Sequence, residues 1–164
     1  MTANPSMPLS SRRSKIPSAP PASTPGVRAA MQGNRSQDTR PEMLLRSVLH
    51  GRGLRFFKNK PPVSDIRCRA DVVFPGSRVA VFCDGCFWHR CPEHGVEPEA
   101  NKSYWLAKLS RNVERDRQND AALNASGWHV IRVWEHEDPE QAATRVEEAV
   151  HARRLPKAAG DPAG

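Results

Sequence analysis

The sequence lacks any long hydrophobic run, and no stretch approaches the ~18–20 consecutive apolar residues that a membrane-spanning helix needs. The N-terminus contains basic residues but not the apolar segment of a secretory signal. Aromatic residues make up only 6% of the 164 positions and apolar residues only 38%, which is less than globular proteins usually have. We therefore expect a soluble, cytoplasmic protein without a membrane partner, whose hydrophobic core uses only part of the chain.

The low apolar content has a local source at the N-terminus. Residues 1–25 contain six prolines and six serines, a composition that cannot bury enough apolar surface to fold. We expect residues 1–24 to form a disordered, basic leader and residues 154–164 to form a flexible tail. Residues 25–153 are numerous enough to enclose one core, so they are predicted to form a single domain.

The net charge of +7 is also confined to the two ends of the chain. Residues 1–40 carry a net charge of +5 and residues 151–164 carry +2, whereas the basic and acidic side chains of residues 41–150 balance. Basic termini add affinity for DNA phosphates through counterion release. They also keep a disordered chain solvated, so the charge alone favours a nucleic-acid partner only slightly.

Hydrophobic periodicity and turn residues predict the order αβββαβα for the domain, preceded by a short helix at 26–34. Pro41 in the first turn and Gly51 with Gly53 at the end delimit the first of the seven elements. The other elements are predicted as strands 54–58, 70–74, 78–83 and 128–134, and as helices 103–125 and 139–153. A hairpin followed by a helical crossover indicates an α/β fold with a mixed sheet flanked by helices.

All four cysteines avoid the terminal segments, and three potential metal ligands cluster within nine residues. Cys86, Cys91 and His94 offer thiolate and imidazole donors at a spacing that suits tetrahedral zinc at a turn. His136 is the best remaining candidate for the fourth ligand, with His89 as its competitor. The alternative is a surface loop with incidental thiols. We favour Zn²⁺ because three good donors fall within nine residues, and its role would be structural, since it would hold an irregular loop that has little apolar material of its own.

Asp71 is an acidic residue inside an apolar predicted strand, and Asp84 follows the next strand. A hairpin would bring both carboxylates near one end, and such hard oxygen ligands are what Mg²⁺ needs to bridge a phosphate and activate water. The alternative for Asp71 is a strand-end carboxylate that faces solvent. Glu42 is by default an ordinary acidic residue near the positive end of a helix.

Aromatic residues are few, but two of them stand together in the segment rich in cysteine and histidine. Phe87 and Trp88 are consecutive and point in different directions, so at least one is expected to be exposed. Exposed aromatic rings among basic residues can stack on DNA bases or wedge between them, and Trp105 is a third candidate. For Trp128 and Trp134 a position in the core is the better prediction.

These residues belong to five strings whose order resembles that in bacterial very-short-patch-repair endonucleases. The strings are Thr-Arg-Pro-Glu from position 39, Arg-Ala-Asp-Val-Val from 69, Asp-Gly-Cys-Phe-Trp-His from 84, Asn-Val-Glu-Arg-Asp from 112, and Gly-Trp from 127 followed by Val-Trp-Glu from 133. The resemblance spans about Pro25 to Arg153. It implies a monomer with a restriction-endonuclease-like fold that nicks double-stranded DNA 5′ of the thymine in T:G mismatches, which arise when 5-methylcytosine deaminates.

The resemblance also implies roles for individual side chains, with Mg²⁺ as the catalytic cofactor, Zn²⁺ as a structural one and the bacterial nucleoid as the location. Asp71 resembles the family's metal-binding catalytic aspartate, His89 the histidine that acts near the attacking water, and Glu42 the helix acid that supports the active site. The implied zinc ligands are Cys86, Cys91, His94 and His136. The residues implied to approach DNA are Met31 at the minor groove, the wedge Phe87, Trp88 and Trp105, and Lys108 and Asn112 on a helix.

One pair of residues departs from the family pattern. Cys83 and Asp84 stand where the best-known members have threonine and histidine. That histidine contacts the scissile phosphate, which an aspartate would repel unless a metal intervened. We interpret Asp84 as a second Mg²⁺ ligand, which leaves His89 as the general base. The alternative is that Asp84 only neighbours the phosphate.

Two other function hypotheses stand beside the Mg²⁺-dependent mismatch nicking enzyme. A zinc-stabilised DNA-binding module without catalysis would keep the cysteines and aromatic residues and make Asp71, His89 and Glu42 incidental. A restriction-type nuclease would use the same fold with a different specificity. We predict the mismatch endonuclease of DNA repair, because the acidic residues and His89 all fall at the expected positions.

Overall fold

Three helices and a four-stranded sheet form the part of the chain that the structure describes. The structure is a computed structural model, and it describes residues 37–154 and the isolated positions 18, 21 and 25. The elements are α1 (Arg40–Gly51), β1 (Phe57–Lys60), β2 (Ala70–Phe74), β3 (Val79–Asp84), α2 (Lys102–Ala125), β4 (His129–Trp134) and α3 (Pro139–Ala152). The predicted order αβββαβα is confirmed. Among these helices, none combines the length and the apolar character needed to cross a membrane.

Several predictions concern residues that the structure does not describe. The predicted short helix at 26–34 and the proposed minor-groove residue Met31 lie outside the described residues. The leader at 1–24, apart from two isolated positions, and the tail beyond residue 154 also lie outside them. The division of the chain into a leader, one domain and a tail therefore stays a prediction.

The sheet is mixed, as predicted, and its strand order is β1-β2-β3-β4. β2 pairs antiparallel with both β1 and β3, whereas β3 and β4 are parallel. A parallel pair requires a crossover connection, and α2 provides it. Between β3 and β4, Phe82 pairs with Arg132. Between β2 and β3, Val72 pairs with Val81, so the next position along the ladder brings Asp71 opposite Phe82. Because side chains alternate along a strand, one face of the sheet carries Asp71, Phe82, Asp84 and Arg132.

The first strand begins later than the sequence predicts. A strand is predicted at 54–58, whereas β1 spans Phe57–Lys60. Leu54 is buried in the core, and its backbone N–H donates to the carbonyl of Leu49 at 3.1 Å, so this segment still closes the end of α1. Phe56 packs edge-on against Phe74. Pairing with β2 therefore starts only where this packing ends.

The two faces of the sheet have different coverings. On one face α1 and α3 pack in the main core, which includes Leu45, Leu49, Val81, Val146 and Val150. The other face has a smaller cluster of Ala70, Val73 and Ala80, with Phe82 and Trp128 packed against it. Trp128 thus contributes to apolar packing, while Trp134 is half-buried at the end of β4. Because the smaller cluster covers only part of this face, the charged side chains of Asp71, Asp84 and Arg132 lie beside it, and side chains of α2 contact Arg132.

Polar contacts set the start of α3 and join it to α1. The Asp138 side chain caps α3 by accepting a hydrogen bond from the backbone N–H of Glu140 at 3.0 Å. Arg52, which follows α1, forms ion pairs with Glu140 at 2.7 Å and with Glu147 at 3.0 Å. These contacts belong to the face of the sheet opposite Asp71, so they are separate from the candidate site.

Candidate catalytic cleft and metal centre

Asp71 on β2 lies among other acidic side chains. Its Oδ2 atom accepts a hydrogen bond from the backbone N–H of Cys83 at 2.7 Å. Burial raises the pKa of Asp71 to about 6; the hydrogen bond from Cys83 opposes this, and the negative charges of Glu42 and Asp84 add to it. Burial and the same acids raise the pKa of the Cys83 thiol, which therefore stays neutral. A cation bound at Asp71 would relieve the unfavourable charge of this group.

Asp84, at the end of β3, is almost completely buried, with 3% of its surface exposed. Both of its carboxylate oxygens accept hydrogen bonds from Nη1 of Arg132, each at 2.8 Å. Burial raises the pKa of Asp84, and Arg132 counteracts this by favouring the carboxylate. Burial alone would lower the pKa of Arg132, but its contacts with Asp120 and Asp84 raise it, so the guanidinium stays charged. The two groups form a partly buried ion pair beside Asp71.

His89 is oriented by an acidic side chain from α2. Its Nδ1 atom lies 2.5 Å from Oδ2 of Asp116 and 3.7 Å from Oδ1 of Asp84. Burial would raise the pKa of Asp116, but the hydrogen bond and charge of His89 and the charge of Arg132 lower it. The Asp116 carboxylate therefore accepts a hydrogen bond from Nδ1 of His89, which leaves Nε2 as the ring nitrogen able to exchange a proton with a ligand.

Glu42 has a structural role at the start of α1 and also faces the site. It is buried, and it accepts hydrogen bonds from the backbone N–H of Asp38 and from Oγ1 of Thr39, both at 2.8 Å. Arg46 lies 3.7 Å from its Oε2 atom. These contacts fit the ordinary role of a helix acid, while its charge also acts on Asp71. The two interpretations of Glu42 are therefore compatible.

The acidic residues and His89 line two adjoining depressions. The larger one, which we name the main cleft, has a volume of about 670 Å³. The smaller one, which we name the side groove, has a volume of about 360 Å³. Both depressions are lined by Cys83, Asp84, His89 and Arg115. The main cleft also includes Glu42, Trp88, Trp105, Lys108 and Asn112. The side groove also includes Arg67, Arg69, Asp71, Asp116 and Arg132. The predicted catalytic side chains therefore converge where the two depressions meet.

Four aromatic side chains form a cluster beside the main cleft. The ring centroid of Trp105 lies 5.6 Å from that of Phe87, 5.9 Å from that of Trp88 and 5.3 Å from that of Tyr104. Tyr104 is buried, and the other three are half-buried. The expectation that Phe87 or Trp88 is exposed is wrong, because both rings pack against each other and against α2. Trp88 and Trp105 nevertheless line the main cleft.

Lys108 and Asn112 extend the aromatic cluster along α2. The Nζ atom of Lys108 lies 5.3 Å from the ring centroid of Trp88 and 5.2 Å from that of Trp105, within the range of cation–π attraction. The Asn112 side chain donates a hydrogen bond to the carbonyl of Trp88 at 3.3 Å. Residues 105, 108 and 112 follow the helical repeat, so they share one face of α2. The three residues implied to approach DNA from this helix thus face the main cleft together.

The four predicted zinc ligands come together at the end of β4. The donor atoms of Cys86, Cys91, His94 and His136 all lie within 4.8 Å of one another. Nδ1 of His136 is 3.1 Å from Sγ of Cys86 and 3.7 Å from Sγ of Cys91. His136, and not its competitor His89, joins this group, because Nδ1 of His89 bonds to Asp116. Two thiolates and two imidazoles converging on one point are a donor set suited to tetrahedral Zn²⁺.

The surroundings of these ligands also suit a metal. Nε2 of His136 lies 3.5 Å from Oε2 of Glu93, an outer carboxylate of the kind that orients metal-bound histidines. Glu135 accepts a hydrogen bond from the backbone N–H of Cys86 at 2.7 Å. The backbone N–H of Gly95 donates to the carbonyl of Cys91 at 2.8 Å, and a Cβ at Gly95 would lie only 2.5 Å from that oxygen. The loop therefore depends on close backbone packing around the ligands.

Three residues of the site were not singled out from the sequence. Asp116 was visible only as part of the Asn-Val-Glu-Arg-Asp string, and its contact with His89 spans 27 positions. Arg132 lies in a predicted strand that is mostly apolar, and its charge is the one feature of the sequence that could have marked it as a site residue. Tyr104 is the only tyrosine of the chain and directly precedes Trp105. None of these partners can be identified from spacing alone.

Comparison with known proteins assigns this arrangement to a family. A family model described as DNA mismatch endonuclease Vsr matches residues 23–93. The chain is 47% identical to the type II nicking enzyme V.NaeI of Lentzea aerocolonigenes over 123 residues, which cover 74% of each chain. It is 41% identical to the type II nicking enzyme V.XorIIP of Xanthomonas oryzae pv. oryzae over 114 residues, covering 67% of this chain and 79% of that one. It is 37% identical to the DNA mismatch endonuclease Vsr of Escherichia coli over 107 residues, covering 64% and 66%.

Proposed function

Because this chain belongs to the Vsr family of DNA endonucleases, we propose that it nicks one strand of duplex DNA 5′ of the thymine in a T:G mismatch. Such mismatches follow the deamination of 5-methylcytosine. The observation that carries the proposal is the convergence of Asp71, Asp84 and His89 beside the aromatic cluster. Cleavage of a single strand agrees with the names of two similar proteins, which are nicking enzymes.

His89 is the proposed general base. Asp116 holds Nδ1 at 2.5 Å, which fixes the orientation of the ring and favours the tautomer with the proton on that nitrogen. Nε2 is then free to take a proton from the attacking water. Asp116 is accordingly a positioning residue, because it acts on the reaction through His89.

Asp71 is the proposed ligand of catalytic Mg²⁺. Its carboxylate is a hard oxygen donor, and the neighbouring acids Glu42 and Asp84 add negative charge that favours a divalent cation. When bound, Mg²⁺ supplies positive charge that stabilises the phosphate as its negative charge increases in the transition state. Asp84 is the second candidate ligand. Its contact with Arg132 at both oxygens favours the alternative, in which Asp84 neighbours the phosphate without holding the metal.

The aromatic cluster is the proposed wedge at the mismatch. Phe87, Trp88 and Trp105 pack against one another, and Trp88 and Trp105 line the main cleft, so the cluster offers an apolar surface to the base pairs. Unstacking a mismatched pair requires less free energy than unstacking a sound one, which provides selectivity. Lys108 and Asn112 are proposed to contact DNA from the same face of α2, and Met31 from the minor groove.

The proposed framework is a restriction-endonuclease-like domain that acts as a monomer and is stabilised by zinc. The mixed sheet flanked by helices agrees with this fold. Zinc held by Cys86, Cys91, His94 and His136 would connect the loop that carries Trp88 and His89 to the end of β4. The metal would thus support the positions of both the wedge and the proposed base.

A nicking assay with defined duplexes tests the function. Two oligonucleotide duplexes would differ only in one T:G or T:A pair, with each strand labelled separately, and each would be incubated with and without added Mg²⁺. We expect a single nick 5′ of the mismatched thymine, only in the T:G duplex and only with Mg²⁺. Varying the bases that flank the mismatch would then define the sequence preference.

The same assay separates the alternative functions. Binding to T:G duplex without any nick at any Mg²⁺ concentration would favour the DNA-binding module. Cleavage of the matched duplex, or of both strands, would favour a restriction-type nuclease. A duplex with a mismatch other than T:G is the matched control, because it distinguishes recognition of this pair from recognition of any distorted helix.

A further inference from the structure

Arg132 on β4 connects the catalytic residues to α2. Its Nη1 atom donates to both oxygens of Asp84 at 2.8 Å. On its other side, Nε and Nη2 each donate to one oxygen of Asp120 at 2.9 Å, a paired geometry that the planar guanidinium provides. Nη2 also lies 3.8 Å from Oδ1 of Asp116, the partner of His89. Arg132 is therefore held between three carboxylates.

The position of Arg132 follows from the sheet itself. It pairs with Phe82 in the parallel register of β3 and β4, and its guanidinium carbon lies 5.0 Å from the centroid of the Phe82 ring. Asp84 is two residues beyond Phe82 on the same face of β3. The guanidinium is thus stacked on one neighbour and hydrogen-bonded to the next, which leaves it little freedom to move.

Asp84 presents a charge problem for a nuclease. It lines both the main cleft and the side groove together with His89. A phosphate that reaches His89 must therefore approach this carboxylate, and two negative charges repel strongly in a partly buried site. An isolated buried carboxylate is also unfavourable in itself, because it loses its hydration. Arg132 is the cation in direct contact with both oxygens of Asp84.

We propose that Arg132 is a positioning residue for phosphodiester cleavage, which holds Asp84 in place and neutralises its charge so that the scissile phosphate can approach His89. This inference rests on the proposed function. In it, Asp84 and Arg132 form one ion pair, and Asp120, which binds the same guanidinium, anchors that pair to α2. The pair can then be replaced together with a smaller loss of activity than follows from removing the cation alone.

Variants of Arg132 separate its charge from its hydrogen bonds. Arg132→Gln keeps hydrogen-bond donors and removes the charge, whereas Arg132→Lys keeps the charge and loses the planar fork. We expect Arg132→Gln to lower the single-turnover nicking rate and the affinity for T:G duplex, each by at least about tenfold. Arg132→Lys is expected to lose less than Arg132→Gln in both measurements.

The double variant Asp84→Asn/Arg132→Gln is the decisive comparison. Removing the unpaired carboxylate should raise the nicking rate of Arg132→Gln by at least about tenfold. A purely structural role predicts instead that the nicking rate recovers only to the extent that the melting temperature recovers, because neutralising an unpaired buried charge also restores stability. Thermal unfolding of each variant is recorded alongside. If Arg132→Gln does not fold, the double variant decides alone: a folded, active double variant supports the inference, and an unfolded or inactive one overturns it.

Arg52→Gln is the matched control, because Arg52 is also an arginine between two acidic side chains but lies on the opposite face of the sheet. We expect it to nick like the wild type. A rate for Arg132→Gln within about twofold of wild type, or a double variant no faster than Arg132→Gln, would overturn the inference. Failure of the wild type to nick T:G duplex would instead contradict the proposed function.

Discussion

At the scale of single residues, the environment of Asp71 distinguishes a proposed metal ligand from an ordinary strand residue. Its carboxylate is held by the backbone of Cys83 and surrounded by the charges of Glu42 and Asp84. Such an arrangement is unfavourable for a structural role, since burial and neighbouring acids both oppose ionisation. It becomes favourable when a divalent cation is bound, which is the reason for assigning the metal to this residue.

The substitution Asp71→Asn should abolish nicking while leaving binding to T:G duplex largely intact. Asparagine keeps the size of the side chain but removes the charge that is proposed to hold Mg²⁺, whereas binding is proposed to come from the aromatic cluster and phosphate contacts. Nicking and gel-shift assays on the same preparation measure both properties. A variant that nicks at the wild-type rate would contradict the assignment of the metal to Asp71.

Asp71 also makes the stability of the Mg²⁺-free protein depend on pH. Burial raises the pKa of Asp71 from 3.8 to about 6 in the folded protein. The stability that the protonated carboxyl group contributes is therefore complete below pH 3.8 and is lost as the pH rises through about 6. Between about pH 5 and pH 7.5, the wild type should lose about 1 kcal/mol more unfolding free energy than Asp71→Asn. Urea unfolding without added Mg²⁺ measures this, and parallel pH profiles would contradict it.

His89 and Asp116 should behave as one unit in kinetics. We expect His89→Ala to reduce the nicking rate by about 10²–10⁴-fold, as for the loss of a general base. Asp116→Asn should cause a smaller reduction, because Asp116 acts only through the imidazole. Single-turnover rates of the two single variants and of the double variant test the coupling. In the double variant, Asp116→Asn should cause no further loss; independent, additive losses would show that Asp116 acts separately.

At the scale of elements, the loop between β3 and α2 has few apolar side chains and contains three of the four proposed zinc ligands, Cys86, Cys91 and His94. Cys86 and Cys91 are buried, but His94 and His136 are exposed, so the group is only partly shielded from solvent. The loop connects the aromatic cluster and His89 to the rest of the domain. Its stability therefore bears directly on the main cleft.

One tightly bound zinc ion is expected per chain, and Cys86→Ala should lose it together with thermal stability. The reason is that metal binding and loop folding are coupled when the ligands are contributed by an irregular segment. Elemental analysis and thermal unfolding of the purified proteins measure the two effects. Wild-type zinc content in Cys86→Ala would contradict the ligand assignment.

Glycine variants serve as a control that leaves the ligands unchanged. A Cβ at Gly95 would approach the Cys91 carbonyl to 2.5 Å, whereas a Cβ at Gly76 would meet nothing within 4 Å. Gly95→Ala should therefore weaken zinc retention and lower the melting temperature, and Gly76→Ala should change neither. Equal behaviour of the two variants would show that the close packing around Cys91 does not support the metal.

At the scale of the whole molecule, the charge and the chemistry lie in different parts of the chain. The basic excess is confined to residues 1–40 and 151–164, and the segment between them has no net charge. The side chains proposed for catalysis and for zinc binding all lie in this segment, between Glu42 and His136. We therefore expect the terminal segments to affect the strength of DNA binding rather than the chemical step.

Deletion of residues 1–24 should leave mismatch nicking largely intact. That segment contains none of the residues assigned to the site, although its loss removes Arg12, Arg13 and Lys15. Binding to DNA should weaken modestly, and more at low salt, because fewer counterions are released. Nicking and binding assays over a salt series test this. Complete loss of activity in a folded truncated protein would show that the leader has a role in the reaction.

Much of the architecture was predictable from the sequence because it depends on local patterns. Apolar residues at helical or strand spacing, with prolines and glycines between them, predicted all seven elements in order. The start of β1 was displaced because Leu54 and Phe56 pack in the core before strand pairing begins. Local propensity cannot reveal such packing, since it depends on residues far away along the chain.

The sequence by itself determined the order of the elements, the clustering of Cys86, Cys91 and His94, and the strings that resemble the family. Each of these features lies within a short segment, so spacing is enough to recognise it. Only the tertiary structure decided between His136, the predicted fourth ligand, and His89, and only it showed that Asp116 contacts His89 and that Arg132 pairs with Asp84. Those partners are 27 to 50 positions apart in the chain, and they meet because the parallel pairing of β3 with β4 and the packing of α2 bring them together.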